Sequence, residues 1–148
     1  MARKSQHISD SILAKLEEAR VARLATLDAQ LKPHIIPVCF VYDGSVFFAA
    51  VDRKPKSVAP EKLARLRNIA RAPQVALLID EYCEDWAQLW FILVRGRARL
   101  IGTPAHEERA RAVRRLKGKY QQYAAGMLAD DAPVIGITPE QITSWGKF

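Results

Sequence analysis

The residues best suited to chemistry in this 148-residue chain form a short cationic loop. Three cations and a hydroxyl directly follow a run of apolar residues: Arg53, Lys54, Lys56 and Ser57. Ammonium and guanidinium groups form charge-assisted hydrogen bonds with phosphate oxygens. Pro55, inside the loop, lowers the entropy that is lost when the loop becomes ordered. The loop therefore suits a phosphorylated small molecule, although the same composition is also typical of an ordinary solvated loop.

The remaining positive charge is spread over two further segments. The chain has 23 Lys and Arg against 16 Asp and Glu, a net charge of +7, which suits nucleic acid, an anionic membrane or a phosphorylated ligand. The Arg-rich segment 109–119 predicts a solvated helix face that pairs with Glu107 and Glu108 along the helix. The aromatic pattern of RNA-binding sheets is absent from the sequence. We therefore expect neither nucleic acid nor a membrane as a partner.

Several kinds of catalytic site are missing from the sequence. The three histidines, His7, His34 and His106, form no HExxH motif, and there is no CxxC pair and no glycine-rich phosphate loop. We expect no metal, and no catalytic residue can be assigned. The two cysteines, Cys39 and Cys83, are typical of reduced thiols. Without an apolar signal core or a run of about 18 apolar residues, the sequence predicts a cytoplasmic protein.

The first half of the chain predicts a helix followed by a three-stranded antiparallel meander. The helix covers residues 9–20, and the strands cover 21–27, 33–42 and 45–51. Asp43-Gly44 is a strong hairpin signal. The strand 33–42 is almost entirely apolar, which predicts burial on both faces, as in a barrel that also meets another subunit. Pro37 marks an edge, a bulge or a close approach to the backbone.

The second half predicts alternating helices and strands. Helices are expected over 61–70 and 103–120, and strands over 74–80, 88–101 with a bend at Gly96, and 132–145 as one strand or a pair. Arginines alternate with smaller or apolar residues from Arg95 to Leu100. This order predicts the α+β class with a small antiparallel barrel. We expect one domain over 1–148, with residues 1–8 as a flexible tail.

Four segments, in this order, carry a resemblance to a known family: PHIIPVCF, AVDRKPK, LRNIARAPQVALLIDEYCEDWAQLW and GRARL. The chain resembles the pyridoxamine-5′-phosphate-oxidase-like split β-barrel flavoproteins over about residues 10–145. More narrowly, it is similar to a small subgroup described as F420-dependent enzymes. The resemblance implies a dimeric split barrel with flanking helices.

The resemblance also implies a site for FMN or the deazaflavin F420 at a homodimer interface. Lys54 and Lys56 match the basic pair that meets the cofactor phosphate, with Arg53 and Ser57 beside them. The residues that match the wall along the ring are His34, Ile36, Pro37, Val38 and Cys39. Tryptophans that could close the site from the other subunit are Trp86, Trp90 and Trp145, which equally suit core or interface packing. Arg97 or Arg99 could add charge near the cofactor tail.

Two departures from the family pattern argue against vitamin B6 oxidation. The chain ends Ser144-Trp145-Gly146-Lys147-Phe148 without an Arg-Trp-Arg-Leu motif, and Phe91 stands where those oxidases have a glutamine. The resemblance thus implies an oxidoreductase that transfers a hydride to or from a small organic substrate. The alternative is a non-catalytic flavin- or haem-binding carrier or sensor on the same barrel.

Overall fold

A computed structural model of the protein describes residues 8–51, 60–102 and 106–148. Its helices are α1 (Asp10–Glu18), α2 (Pro60–Arg71) and α3 (His106–Lys119). Its strands are β1 (Ala22–Leu27), β2 (Pro33–Val38), β3 (Phe40–Tyr42), β4 (Phe47–Ala50), β5 (Gln74–Glu81), β6 (Trp90–Ile101) and β7 (Val134–Gly146). No helix in the described ranges is long and apolar enough to cross a membrane.

The seven strands form one antiparallel sheet in the order β2-β1-β5-β6-β7-β4-β3. Its two outermost strands, β2 and β3, are consecutive in the chain, with only Cys39 between them. One residue spans less than about 4 Å, so the sheet must curl until its two edges approach each other. The predicted α+β split barrel with flanking helices is confirmed.

The prediction of a single strand over 33–42 is wrong in one respect, because the structure divides this segment into two strands at Cys39. Its first part, β2, pairs with β1, and its second part, β3, pairs with β4. Burial of β2 on both faces, predicted for a barrel that also meets another subunit, stays a prediction, because in the single chain Ile35 is 64% exposed. The reason is that β2 lies at a sheet edge and has no described element over its outer side. Of the alternatives given for Pro37, a position on an edge strand is confirmed.

Two hydrophobic cores lie on opposite sides of the sheet. The first fills the inside of the curl with inward residues of the strands, such as Leu24, Phe40 and Ile92, together with Leu16 of α1 and Ile69 of α2. The second lies between α3 and the outer side of β3, β4 and the start of β7. Burying a large aliphatic or aromatic side chain contributes about 1.5–3 kcal/mol, so these cores fix how the sheet curls.

The prediction that α3 presents a solvated cationic face is wrong for several of its charges. Arg109 is only 9% exposed and donates to the backbone oxygen of Asp130 at 2.6 Å. Lys117 pairs with the Asp130 carboxylate. Glu108 pairs with Arg99 of β6 instead of with a neighbour on its own helix. These cations hold α3 against the segment after it and against the sheet.

Candidate functional site

The outer side of the sheet is covered by α3 over only part of its width. Directly opposed residues on antiparallel strands point to the same side of a sheet. Ala25 is opposed to both Ile35 and Ala76, Ala76 to Arg95, and Arg95 to Gln141. This row crosses the outer side of the sheet from β2 to β7, on the part that the second core does not cover.

We call the surface around this row the open face. It consists of the outward residues of β2, β1, β5, β6 and the second half of β7: Pro33, Ile35, Pro37, Arg23, Ala25, Leu27, Gln74, Ala76, Leu78, Asp80, Phe91, Leu93, Arg95, Gln141, Thr143 and Trp145. Ile35, Leu78 and Trp145 are 64%, 37% and 54% exposed. Trp145 stacks on Phe91 with their ring centroids 5.7 Å apart. Grouped exposed apolar side chains of this kind are typical of a surface that a ligand or a partner buries.

The backbone of β2 adds hydrogen-bonding groups at the edge of the open face. Pro33 and Pro37 are four residues apart, and both belong to the ladder with β1. Their missing N–H groups therefore face away from β1. Ile35, midway between them, has its N–H group on that same side, where none of the described strands pairs with it. The edge thus offers one donor, flanked by carbonyl acceptors, to a ligand.

The structure distributes the five predicted wall residues over three environments. His34, Ile36 and Val38 point to the inside of the curl, and Val38 is fully part of the first core. Pro37 points outwards, and Cys39 packs against the second core below α3. Alternation along a strand makes this division unavoidable. The five side chains therefore do not form one continuous wall, whereas the backbone of β2 runs along a single edge of the sheet.

His34 contains a buried polar atom without a partner. Its Nδ1 is inaccessible to solvent and forms no hydrogen bond with any described residue. The opposed residue on β1 is Thr26, whose hydroxyl oxygen accepts a hydrogen bond from Nδ2 of Asn68 at 3.1 Å. Buried polar atoms in proteins are almost always paired. Nδ1 of His34 is therefore an unsatisfied polar atom on the inner side of the sheet, opposite the open face.

The predicted tryptophans lie in different places. Trp90 is 5% exposed, donates from Nε1 to Glu81 at 3.3 Å and packs on Phe148, so its ring belongs to the first core. Trp145 lies on the open face. Trp86 is 71% exposed in a short 3-10 turn. Trp90 and Trp145 are thus on opposite sides of the sheet.

A cavity of about 420 Å³ opens near the middle of the sheet. The small side chains of Ala25 and Ala76 lie in it, with Leu27, Pro33, Val75, Thr26, Gln74, Gly96, Arg95, Glu140 and Gln141 around them. Arg95 is exposed and forms neither a hydrogen bond nor an ion pair with the described part of the chain. Sequence reasoning did not assign Arg95 to the site, although the alternation from Arg95 onwards was a signal that the arginines share one side.

A β-bulge shapes this cavity. Arg95 is opposed to Gln141 and Gly96 to Pro139, which leaves Glu140 as the extra residue of β7. A Cβ atom on residue 96 would lie 2.3 Å from the backbone oxygen of Thr138. The absence of a side chain at Gly96 permits this approach, and it places Glu140 and Gln141 beside Arg95. The register shifts at Gly96, but the extra residue lies in β7, so the bend predicted at Gly96 for the strand 88–101 stays a prediction.

A larger cavity, of about 470 Å³, lies between α1, α3 and β3. Lys119 lies in its wall, but the ammonium group donates to the backbone oxygen of Leu16 at 3.0 Å and lies 4.0 Å from the ring centroid of Phe40. Burial, with a further effect of Arg20, lowers the pKa of Lys119 to about 8. This cation is already used to join α1, α3 and β3. The unpaired Arg95 makes the smaller cavity the better candidate for a ligand.

The predicted phosphate-binding residues lie outside the described residues. These are Arg53, Lys54, Lys56 and Ser57, in the segment 52–59. The segment follows Val51, whose N–H group donates to Pro133 at 3.3 Å, and precedes α2. Within the described ranges, no three His, Cys, Asp or Glu side chains are placed to hold a metal ion.

A family model described as pyridoxamine 5′-phosphate oxidase matches residues 8–146, and the chain belongs to this family. Among curated proteins, it is 27% identical over 128 residues to the 5a,11a-dehydrotetracycline/5a,11a-dehydrooxytetracycline reductase of Streptomyces rimosus subsp. rimosus. That match covers 84% of this chain and 72% of the reductase.

Solved structures show the same fold. The haem storage protein HutZ of Vibrio cholerae superimposes with a TM-score of 0.71 at 18% identity, covering 96% of each chain. An F420 reductase superimposes with a TM-score of 0.64 at 20% identity, covering 92% of this chain and 98% of that one. Family membership supports a flavin- or deazaflavin-binding, oxidoreductase-like function.

Proposed function

We propose that the protein is a homodimeric oxidoreductase that binds FMN or F420 against the open face and transfers a hydride to or from a small organic substrate. The observation that carries the proposal is the open face itself, where exposed apolar side chains, an unpaired strand edge and a cavity adjoin. In this class of enzyme the cofactor supplies the redox chemistry, and the protein supplies binding, orientation and exclusion of water. The absence of an evident catalytic residue in the sequence agrees with this division.

The described residues fit a planar heterocycle that carries hydrogen-bonding atoms. The N–H group of Ile35 and the flanking carbonyls can bond ring heteroatoms along the edge of β2. Ile35, Pro37 and Trp145 provide apolar surface that excludes water from the ring. Lys54 and Lys56, with Arg53 and Ser57, would hold the phosphate, an assignment that rests on the family resemblance.

Titration of the purified protein with FMN and with F420, separately, tests the proposal. We expect one of the two to bind with one equivalent per chain, and the absorbance of its ring to change as it leaves water. A protein that binds neither would contradict the proposal. Haem is the third titrant, because the fold is also that of a haem storage protein. Haem binding alone, without binding of FMN or F420, would support the carrier instead.

The double substitution Lys54→Ala/Lys56→Ala is expected to weaken cofactor binding by about tenfold or more, because two charge-assisted hydrogen bonds to phosphate are lost. The measurement is the dissociation constant of whichever cofactor binds. Arg111→Ala/Arg114→Ala is the control, since it removes two exposed charges from α3 and should leave binding unchanged. Equal affinity of both double variants would show that the cationic loop does not hold the phosphate.

The substitution Ile35→Asp is expected to weaken the homodimer by about tenfold or more, since two-fold symmetry places the buried charge in the interface twice. Sedimentation equilibrium measures the monomer–dimer constant. Leu31→Asp is the control, because Leu31 is 72% exposed in the turn before β2 and lies off the open face. A monomeric wild-type protein, or an unchanged dimer constant for Ile35→Asp, would contradict burial of the open face between subunits.

A further inference from the structure

The cavity on the open face has the form of a small-molecule site of its own. Its 420 Å³ lies within the roughly 300–1,000 Å³ of typical ligand pockets. Ala25 and Ala76 leave room above the sheet, and Leu27 and Pro33 add apolar walls. A floor of flat strands with short side chains suits a flat, largely apolar molecule. The polar groups are confined to one side, where β6 meets the bulge of β7.

Arg95 is the cation on that side, and it has no partner among the described residues. It forms no hydrogen bond or ion pair with the described chain, although Glu140 also lines the cavity. Its position is fixed by the bulge, because the residue next to it, Gly96, lies against the backbone of Thr138. A guanidinium group presents several donors in a planar fork that matches a carboxylate. Gln74 and Gln141 can complete a polar rim.

We propose that this cavity binds the substrate and that Arg95 selects substrates with a carboxylate on a flat apolar body. The inference rests on the proposed function in that the bound molecule is the partner in hydride transfer. Arg95 is a binding and specificity residue, and the apolar body of the substrate would extend from Arg95 across β5 and β1 towards β2. Pro33, which lies both in β2 and in the cavity wall, joins the two sites.

A pair of matched probes tests this without any turnover. The fluorescent acid 2-naphthoate and its neutral counterpart 2-naphthamide differ only in the group that Arg95 would bind. We expect the cofactor-free protein to bind the acid about tenfold more tightly than the amide, because a hydrogen bond between charged groups replaces a neutral one. Arg95→Gln should remove this preference, and Arg95→Lys should restore part of it. Arg111→Gln, the same change at an exposed arginine of α3, should keep it.

Each other outcome has a definite meaning. Equal binding of acid and amide by the wild type, or a preference that survives in Arg95→Gln, would overturn the inference while leaving the cofactor titration to decide the proposed function. Displacement of 2-naphthoate by FMN or F420 would overturn the substrate assignment, since the cavity would then be part of the cofactor site. A retained acid preference in a protein that binds neither cofactor would refute the proposed function and leave an acid-binding cavity.

Discussion

Replacement of Gly96 by alanine is expected to destabilise the protein by about 3 kcal/mol, the upper range for forced overpacking. The new Cβ atom would lie 2.3 Å from the carbonyl oxygen of Thr138 and 3.1 Å from Cα of Pro139. Both atoms belong to the backbone, so no side-chain rotation can relieve the clash. The bulge between β6 and β7 must open instead, and these two strands form the most extensive pairing in the sheet.

Urea denaturation of Gly96→Ala and of Gly118→Ala provides the comparison. Gly118 lies in α3 with no atom within 4 Å of the position of its missing Cβ. Alanine there is expected to stabilise the helix by about 0.5–1 kcal/mol, because glycine has the greater freedom to lose on folding. If Gly96→Ala unfolded at the same urea concentration as the wild type, the close approach at the bulge would be refuted.

Replacement of Tyr120 by phenylalanine is expected to destabilise the protein by about 2 kcal/mol, the cost of leaving a buried backbone donor unpaired. The Tyr120 hydroxyl oxygen accepts from the N–H group of Phe40 at 3.0 Å. It also lies 3.0 Å from the carbonyl oxygens of Phe40 and Arg20, and it donates to one of them. Burial raises the pKa of this hydroxyl to about 12. The bond fixes the point where the chain leaves β2 and joins β3.

Tyr82→Phe is the matched control for this prediction. Tyr82 is 64% exposed, and its hydroxyl donates to Glu84 at 3.2 Å in a surface loop. Its loss should change the free energy of unfolding by less than about 0.5 kcal/mol. Hydrogen exchange adds a local measurement, because the amide of Phe40 should exchange faster in Tyr120→Phe. Equal stability of both variants would contradict the role of Tyr120.

The β3–β4 hairpin shows what local sequence can determine. The Asp43-Gly44 signal predicted this turn, and the structure confirms it. Oδ1 of Asp43 accepts from the N–H groups of Ser45 and Val46 at 2.8 and 2.7 Å, and Gly44 has a φ of +100°. All these interactions lie within four residues. They need no knowledge of the rest of the fold.

The predicted wall along β2 shows that local sequence is insufficient to tell which side chains share one side of a strand's surroundings. An apolar run such as 33–42 predicts a buried strand but does not say which neighbours bury it. The structure divides the run at Cys39 because its two parts pair with different strands, β1 and β4. The side chains of His34 and Pro37 then point to opposite sides. Their separation could not be read from residues that are adjacent in sequence.

The sequence by itself determined the α+β class, the family and the order of helices and strands, since these depend on short-range periodicity, turn residues and the spacing of segments. It also identified the cationic loop, whose structure lies outside the described residues. Only the tertiary structure decided that Arg95 stands beside a cavity without a partner in the described part of the chain, and that Arg109 and Lys119 hold α3 in place. The physical reason is that the residues opposite a charged side chain decide whether it forms an internal ion pair or stays available to a ligand. Those neighbours are set by the pairing register of the strands and by the close contact between Gly96 and the backbone of Thr138.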